Sequence, residues 1–186
     1  MKGFIKAIFL ILLFHSMWFK VYAISVSDFW KNMPDSVMDR KVYGMQSVVD
    51  TLTDNFIQVT LSSHSSLQIK RLPTLTGDSL FCIVRTYGSE AKESEIALYR
   101  SDYSMVRMLV YNPNDIIRKA GDIDDKRFDD LKGEIVLSLV NATLSVDDDD
   151  TMILNVVFPF LFKEEKKDFE SLILQKTVKW NGETFK

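Results

Sequence analysis

Alternation of apolar and polar residues predicts four strands in the first half of the chain. In FIQVTLSS, which begins at Phe56, apolar residues occupy one face while Gln58 and Thr60 occupy the other. SLQIKRLP repeats the pattern with Gln68 and Lys70 on its polar face, and SLFCIVRTY and SEIALYRS follow. A period of two is typical of strands. Because turn residues separate the four segments, we predict an antiparallel meander with one covered face.

The second half of the chain is predicted to contain a helix followed by three more strands. Asp124 or Asp125 can cap a helix in which Phe128, Leu131 and Ile135 share one side. Alternation resumes in SLVNATLSV and in TMILNVVF, and a last strand, LILQKTVKWNGETF, ends at an Asn-Gly turn. Both halves have the order helix, strand, strand, which leaves an internal repeat open.

Short helices complete the predicted fold. Ser27 is the expected N-cap of a helix over residues 28–33, and residues 35–54 are expected to form helical turns or loop. Because the predicted strands are antiparallel and the helices short, we predict an α+β fold. It consists of antiparallel sheets with short helices covering one face.

The first 23 residues have the pattern of a secretory signal peptide. A start with two lysines precedes an apolar run over residues 7–14, and small residues precede a cut predicted between Ala23 and Ile24. The apolar run is shorter than the roughly 20 residues that a membrane-spanning helix needs. We therefore expect a periplasmic or secreted protein without a transmembrane anchor after cleavage.

The mature chain, residues 24–186, is expected to form a single domain with two candidate lobes at residues 24–110 and 111–186. The sequence has 23 basic and 26 acidic residues, and three lysines lie in the predicted signal peptide, which leaves a mature net charge of −6. Nucleic acid and anionic lipid attract basic surfaces, so neither is an expected partner. Cys82 is the only cysteine, so no intramolecular disulfide can form.

A catalytic Cys–His pair would have to use Cys82 and His64, the one cysteine and the one histidine of the mature chain. Pairing of SLQIKRLP with SLFCIVRTY places Cys82 opposite Lys70 and leaves His64 roughly 20 Å away, at about 3.3 Å per residue. Proton transfer needs hydrogen-bonding distance, so this pair is excluded. A zinc site would rest mainly on carboxylates, and neither a catalytic residue nor a cofactor is predicted.

Four consecutive aspartates lie between two predicted strands in SVDDDDTM. Asp147 and Asp149 are weak candidates for calcium ligands, because calcium binds oxygen ligands. Neighbouring side chains of an extended segment point in opposite directions, so a charged hairpin tip is the favoured interpretation. In GDIDDKRFDD a calcium loop is less favoured than a helix cap at Asp124 or Asp125, because Lys126 occupies a ligand position.

Two surfaces are candidates for binding. Gln58, Thr60, Gln68 and Lys70 form a candidate binding face on the strands, although a solvated sheet face is the simpler interpretation. The aromatic residues on either side of the closing NGET turn form either an exposed platform or a pin that fixes the turn to the core.

Five short motifs are spread over the mature chain: MPDS at residues 33–36, LTD at 52–54, Leu72-Pro73, TYG at 86–88 and the closing VKWNGETF. They resemble the motifs of DUF3256, a domain-of-unknown-function family of exported Bacteroidales proteins. The resemblance implies a location in the Gram-negative cell envelope. It assigns no activity, cofactor or catalytic residue.

The resemblance also implies a candidate modification, because exported proteins of such bacteria often carry O-glycans on Asp-Ser or Asp-Thr followed by an apolar residue. Four stretches fit, which makes Ser36, Thr51, Ser79 and Thr151 candidate acceptors. The same dipeptides are ordinary cap and turn sequences, which is the simpler interpretation. Thr151 is the preferred candidate, because the acidic tip is expected to keep it exposed.

The absence of a catalytic motif favours a non-enzymatic binding or interaction module of the cell envelope, with a protein or glycan partner. A carboxylate-dependent periplasmic hydrolase is the alternative, and it requires two acids from different strands in one pocket. An inhibitor-like protein of two lobes is a third interpretation, and it requires a true internal repeat.

Overall fold

The computed structural model describes residues 24–37, 47–121, 123–135, 137–147, 149–160 and 169–186. The predicted signal peptide lies outside these residues. Within the described ranges, no helix is both long enough and apolar enough to cross a membrane.

A six-stranded antiparallel sheet contains the strands described in the first half of the chain. Each strand pairs with the next one in the sequence. The strands are β1 (Val48–Leu52), β2 (Phe56–Ser62), β3 (Ser65–Pro73), β4 (Ser79–Tyr87), β5 (Glu93–Tyr99) and β6 (Met105–Leu109).

The alternating pattern identifies the four inner strands and misses both edge strands. The expectation of helical turns or loop is wrong for Val48–Leu52, because this segment pairs with β2. Most residues of β1 and β6 are exposed on both faces, so neither strand has the polar–apolar alternation that comes from one buried face. Edge strands are therefore the part of this sheet that periodicity cannot find.

Two smaller sheets and two helices follow in the part of the second half that the structure describes. β8 (Leu139–Leu144), β9 (Thr151–Val157) and β11 (Gln175–Lys179) form a three-stranded antiparallel sheet in the order β11-β9-β8, and β7 (Arg118–Lys119) pairs with β10 (Leu172–Ile173). The helices of the described residues are α1 (Val26–Lys31), α2 (Pro113–Ile116) and α3 (Asp125–Glu134). The predicted α+β class is confirmed, whereas an internal repeat stays a prediction.

Side-chain caps set the starts of the two longer helices. α1 begins two residues earlier than expected, because Ser25 rather than Ser27 is its N-cap and accepts a hydrogen bond of 3.0 Å from the Asp28 amide. Asp124 caps α3 as predicted, and its carboxylate accepts a bond of 2.8 Å from the Arg127 amide. Each cap satisfies an amide that the helix itself leaves unpaired.

Both faces of the six-stranded sheet are covered. On the helix-covered face, α1 packs against the sheet, and the ring of Phe29 stacks on that of Phe81 with 3.9 Å between centroids. On the sheet-covered face, β8 packs across β3, β4 and β5, and a second core forms between the two sheets. A short helix thus covers one face as predicted, but the opposite face is not solvated, because the second half of the chain folds onto it.

Candidate functional site

Part of the predicted polar binding face lies between the six-stranded and the three-stranded sheet. The Gln68 amide donates a hydrogen bond of 3.0 Å to the Gln58 side-chain oxygen, and its own oxygen accepts one of 2.9 Å from the backbone amide of Leu144 in β8. Thr60 donates a bond of 2.8 Å to the Asp50 carboxylate on β1. Part of this face therefore binds a strand of the same chain.

Strand β8 needs side-chain partners such as Gln68 because it is an edge strand of the three-stranded sheet. The backbone amide of Ala142 donates a hydrogen bond of 3.0 Å to the hydroxyl of Ser94 on β5, much as Leu144 donates to Gln68. A buried backbone amide without a partner is costly. Side chains of one sheet thus satisfy the edge of the other.

Lys70 is the buried cation of this interface, with only 1% of its side chain exposed. Its ammonium group donates to the backbone oxygen of Ser145 at 2.9 Å and to that of Asp147, and it lies 3.6 Å from the carboxylate of Asp150. A buried charge has to be paired and hydrogen-bonded. Lys70 is therefore unavailable to an external ligand, and the aspartate run supplies its partners.

The predicted hairpin tip is confirmed, since Leu144 of β8 pairs with Met152 of β9 across it. Hydrogen bonds from Ser145 and Thr151 lower the pKa of Asp149, which keeps its carboxylate charged. No cluster of three His, Cys, Asp or Glu side chains able to hold a metal ion occurs in the described residues, which exclude Asp148.

The calcium candidates Asp147 and Asp149 are both exposed at this tip. The backbone oxygen of Asp147 already accepts a hydrogen bond from the Lys70 ammonium group, and the carboxylate of Asp149 accepts bonds from Thr151. A positive charge therefore lies beneath the tip, although calcium binding itself stays untested.

The candidate acceptors for O-glycans differ in exposure. Thr151 was expected to be exposed but is half-buried, and its hydroxyl donates a bond of 2.9 Å to the Asp149 carboxylate. Thr51 and Ser79 are also half-buried, whereas Ser36 is exposed. Exposure alone therefore favours Ser36, and the modification of any of the four stays a prediction.

Cys82 and His64 do not form a pair. Cys82 lies opposite Lys70 in the β3–β4 ladder, as predicted, and is fully buried, whereas His64 is exposed in the turn between β2 and β3. Burial raises the pKa of the Cys82 thiol to about 12, against an opposing effect of the Lys70 charge. Reactive cysteines need an accessible thiolate, so this thiol serves as a core residue.

The aromatic residues of the closing turn fix this turn to the core. Trp180 and Phe185 are both buried with their rings 5.3 Å apart, and the indole nitrogen of Trp180 donates a bond of 2.5 Å to the backbone oxygen of Pro73. Gly182 in this turn has φ of +96°, and a Cβ there would lie 2.6 Å from Leu75. An exposed aromatic platform is thereby excluded at this position.

Exposed apolar side chains lie along both edge strands of the six-stranded sheet, at Val48, Val49 and Leu52 on β1 and at four residues on or directly after β6. Exposed fractions are 56% for Met105, 38% for Val106, 51% for Met108 and 88% for Val110, which follows the strand. The one pairing of β6 in the described part of the chain is with β5, so its outer backbone groups have no strand beside them. An exposed apolar edge is a template for pairing with another chain.

Two hollows lie beside β6. One, of about 200 Å³, lies on the helix-covered face, where Met105 and Met108 pair with Tyr99 and Ala97 of β5. The other, of about 300 Å³, includes Leu109, Val110 and Tyr111 and reaches Ser138 before β8. Flexible methionine side chains adapt to varied apolar partners. The edge therefore has space for side chains on both sides of an added strand.

Periodicity missed β6, but another signal was present. MVRMLVY is a short, mostly apolar run without Gly or Pro, bounded by the polar SDYS segment and by Asn112-Pro113. Such a run between turn signals is consistent with a strand even when it does not alternate. Its position at the edge follows only from the pairing of the other strands.

The family described as Protein of unknown function (DUF3256) matches residues 26–185. The chain belongs to this family. The match confirms the resemblance carried by the sequence motifs and includes all three described sheets and the residues around the two hollows beside β6.

A solved structure has the same fold as this DUF3256 protein. It is a domain of an uncharacterized protein from Porphyromonas gingivalis W83, with a TM-score of 0.64 and 17% sequence identity, covering 83% of this chain and 92% of that chain. At this identity the similarity shows the fold alone. No curated protein matches the chain.

Proposed function

We propose that this DUF3256 protein is a non-enzymatic binding module of the cell envelope that captures an extended polypeptide segment at β6. The observation that carries the proposal is the exposure of three apolar side chains on β6 and of Val110 directly after it, on a strand whose outer side pairs with no other strand of the described residues. The envelope location rests on the signal-like first 23 residues and on the family resemblance.

Capture follows the rules of strand addition. The outer amide and carbonyl groups of β6 hydrogen-bond to the incoming segment, which supplies affinity without regard to sequence. Alternate side chains of an added strand point to opposite faces. They therefore enter the hollow beside Met105 and Met108 on one face and the hollow beside Leu109 on the other.

A polypeptide fits this edge better than a glycan. The aromatic pair Trp180 and Phe185, which the sequence offered as a platform, is buried and cannot stack on a sugar. The exposed surface at β6 is instead aliphatic and thioether in character, which suits apolar side chains. The alternative of a carboxylate-dependent hydrolase has no specific observation in its favour within the described residues.

The test is binding of a fluorescent eight-residue peptide that alternates valine and threonine, measured by anisotropy at low protein concentration. We expect saturable binding that Met108→Lys weakens at least tenfold, because the lysine charge would be desolvated beside the added strand. Val49→Lys places the same charge on the other edge strand and is the matched control. Equal binding by the natural chain and by Met108→Lys would contradict the proposal.

A further inference from the structure

We infer that a hollow at one end of the six-stranded sheet binds an oxyanion, such as a phosphate or sulfate group. The hollow, of about 230 Å³, lies between the β2–β3 turn and the β4–β5 loop. None of its lining residues belongs to β6 or to the two hollows beside β6. This site is therefore separate from the proposed capture of a polypeptide.

Most of the lining consists of hydroxyl side chains. Ser62 pairs with Ser65, so the turn between β2 and β3 has only two residues and brings the hydroxyls of both strand ends close together. The hydroxyl-bearing lining residues are Thr60, Ser62, Ser63, Ser65, Ser66 and Thr86. Because a hydroxyl can donate or accept a hydrogen bond, the charged groups of the lining decide which class of ligand the hollow prefers.

Lys92 and His64 are the ionisable residues of the lining. Neither the Lys92 ammonium group nor the His64 ring has a hydrogen bond or an ion pair within the described residues. No carboxylate lines this hollow, whereas Glu95 lines both hollows beside β6. The charge of the lining therefore favours an anion.

The fold ties the two loops of the hollow together. The Gly88 amide donates a hydrogen bond of 2.9 Å to the backbone oxygen of His64. Gly88 has φ of +111°, and a Cβ there would collide with the backbone oxygen of Ala91, so the tight β4–β5 loop requires glycine. This loop turns the chain back so that Lys92 lines the same hollow as His64.

A count of hydrogen-bond donors indicates the same class of ligand. Ser65 is only 8% exposed, and its hydroxyl lies 2.7 Å from that of Ser62, whose oxygen also accepts a bond from the His64 amide. One hydroxyl proton makes the bond between the two serines, so the second proton of the pair is left to donate elsewhere. No other acceptor for it occurs among the described residues. Together with the Lys92 ammonium group, this proton is available to the oxygens of an anion.

The volume of the hollow and the charge of the chain limit the ligand and its affinity. Pockets for drug-sized ligands have about 300–1,000 Å³, so this smaller hollow suits a single phosphate or sulfate group. The chain has a formal net charge of −3, so its overall field does not attract anions. Affinity therefore depends on the local donors, and we expect a dissociation constant on the order of 1 mM.

The test is a titration of the nitrogen-15-labelled chain with inorganic phosphate at constant ionic strength, followed by amide chemical shifts. We expect saturable shifts at Ser63, His64 and Lys92. Lys92→Met removes the charge but keeps most of the length of the side chain, so it should weaken binding about tenfold. Lys92→Arg keeps the charge and should retain the affinity. Lys179→Met removes a charge from an exposed position of the three-stranded sheet and is the matched control that should bind like the natural chain.

Three outcomes would overturn the inference: shifts that do not saturate, shifts centred on residues outside the hollow, or equal affinity of Lys92→Met and the natural chain. Glucose 6-phosphate distinguishes the source of the group. Tighter binding than that of inorganic phosphate at the same amides indicates a phosphate ester as the ligand, and equal or weaker binding there indicates the free ion. Both results support the site, and neither depends on whether the alternating peptide binds at β6.

Discussion

The two faces of the six-stranded sheet are covered in chemically different ways. On the helix-covered face, α1 contributes apolar and aromatic side chains, of which Phe29 stacked on Phe81 is the centre. On the sheet-covered face, apolar packing is combined with polar contacts from Gln68, Lys70 and Ser94 to the backbone of β8 and its tip.

The difference follows from what each covering element does with its own backbone. A helix pairs most of its amide and carbonyl groups internally, so only side chains need to match the sheet. An edge strand leaves amide and carbonyl groups without partners, and burial makes their satisfaction obligatory. A sheet face that receives a strand edge therefore needs polar side chains, and such a face is easily mistaken for a solvated one.

The largest expected effect is on the helix-covered face. Phe29→Ala removes the ring stacked on Phe81 and should lower the free energy of unfolding by about 3–5 kcal/mol, the usual range for a buried phenylalanine. Urea denaturation measures this loss, and Phe29→Leu should lose less because it keeps most of the apolar volume. A loss below about 1 kcal/mol would show that α1 contributes little to the fold.

The second-largest expected loss of stability is on the sheet-covered face. Lys70→Met keeps the length of the side chain but leaves the backbone oxygens of Ser145 and Asp147 without their donor, so we expect a loss of about 2–3 kcal/mol. Lys179→Met, at an exposed position of β11, is the control and should change stability by less than about 0.5 kcal/mol. If Lys70→Met were as stable as the natural chain, the polar contacts would be incidental to this interface.

A smaller effect tests a single contact to the strand edge. Ser94→Ala removes the acceptor of the Ala142 amide and should cost about 1–2 kcal/mol, the desolvation penalty of one unpaired group. Ser101→Ala, at an exposed turn residue between β5 and β6, is the matched control. Hydrogen exchange of the Ala142 amide should accelerate only in Ser94→Ala, and unchanged exchange would mean that water replaces the serine.

Periodicity predicted the inner strands and the α+β class because apolar and polar residues alternate between the two faces of those strands. It could not show that Gln68 and Lys70 face another sheet. A polar residue that is hydrogen-bonded inside the protein and a polar residue in contact with water give the same alternating pattern. It also missed β6, whose residues are exposed on both faces. The candidate site lies where the local pattern is weakest, and only the pairing of β6 with β5 in the structure reveals it.

The smallest effect at neutral pH concerns Cys82, which lies on the sheet-covered face opposite Lys70. Burial raises its pKa from 9.0 in the unfolded chain to about 12 in the folded one. A raised pKa means that stability is complete below pH 9 and falls as pH rises towards 12, because only the unfolded state releases the proton in that window. We expect no contribution at pH 7 and a loss of about 1 kcal/mol by pH 10.

Unfolding curves at pH 7 and pH 10 for the natural chain and for Cys82→Ala isolate this contribution. Cys82→Ala should be less stable than the natural chain at both pH values because it leaves a cavity. Its stability should nevertheless fall less between pH 7 and pH 10. The comparison removes every pH effect that both proteins share. Equal losses of stability in the two proteins would mean that the thiol reaches water before the sheets separate. The core between the sheets would then open more easily than its burial indicates.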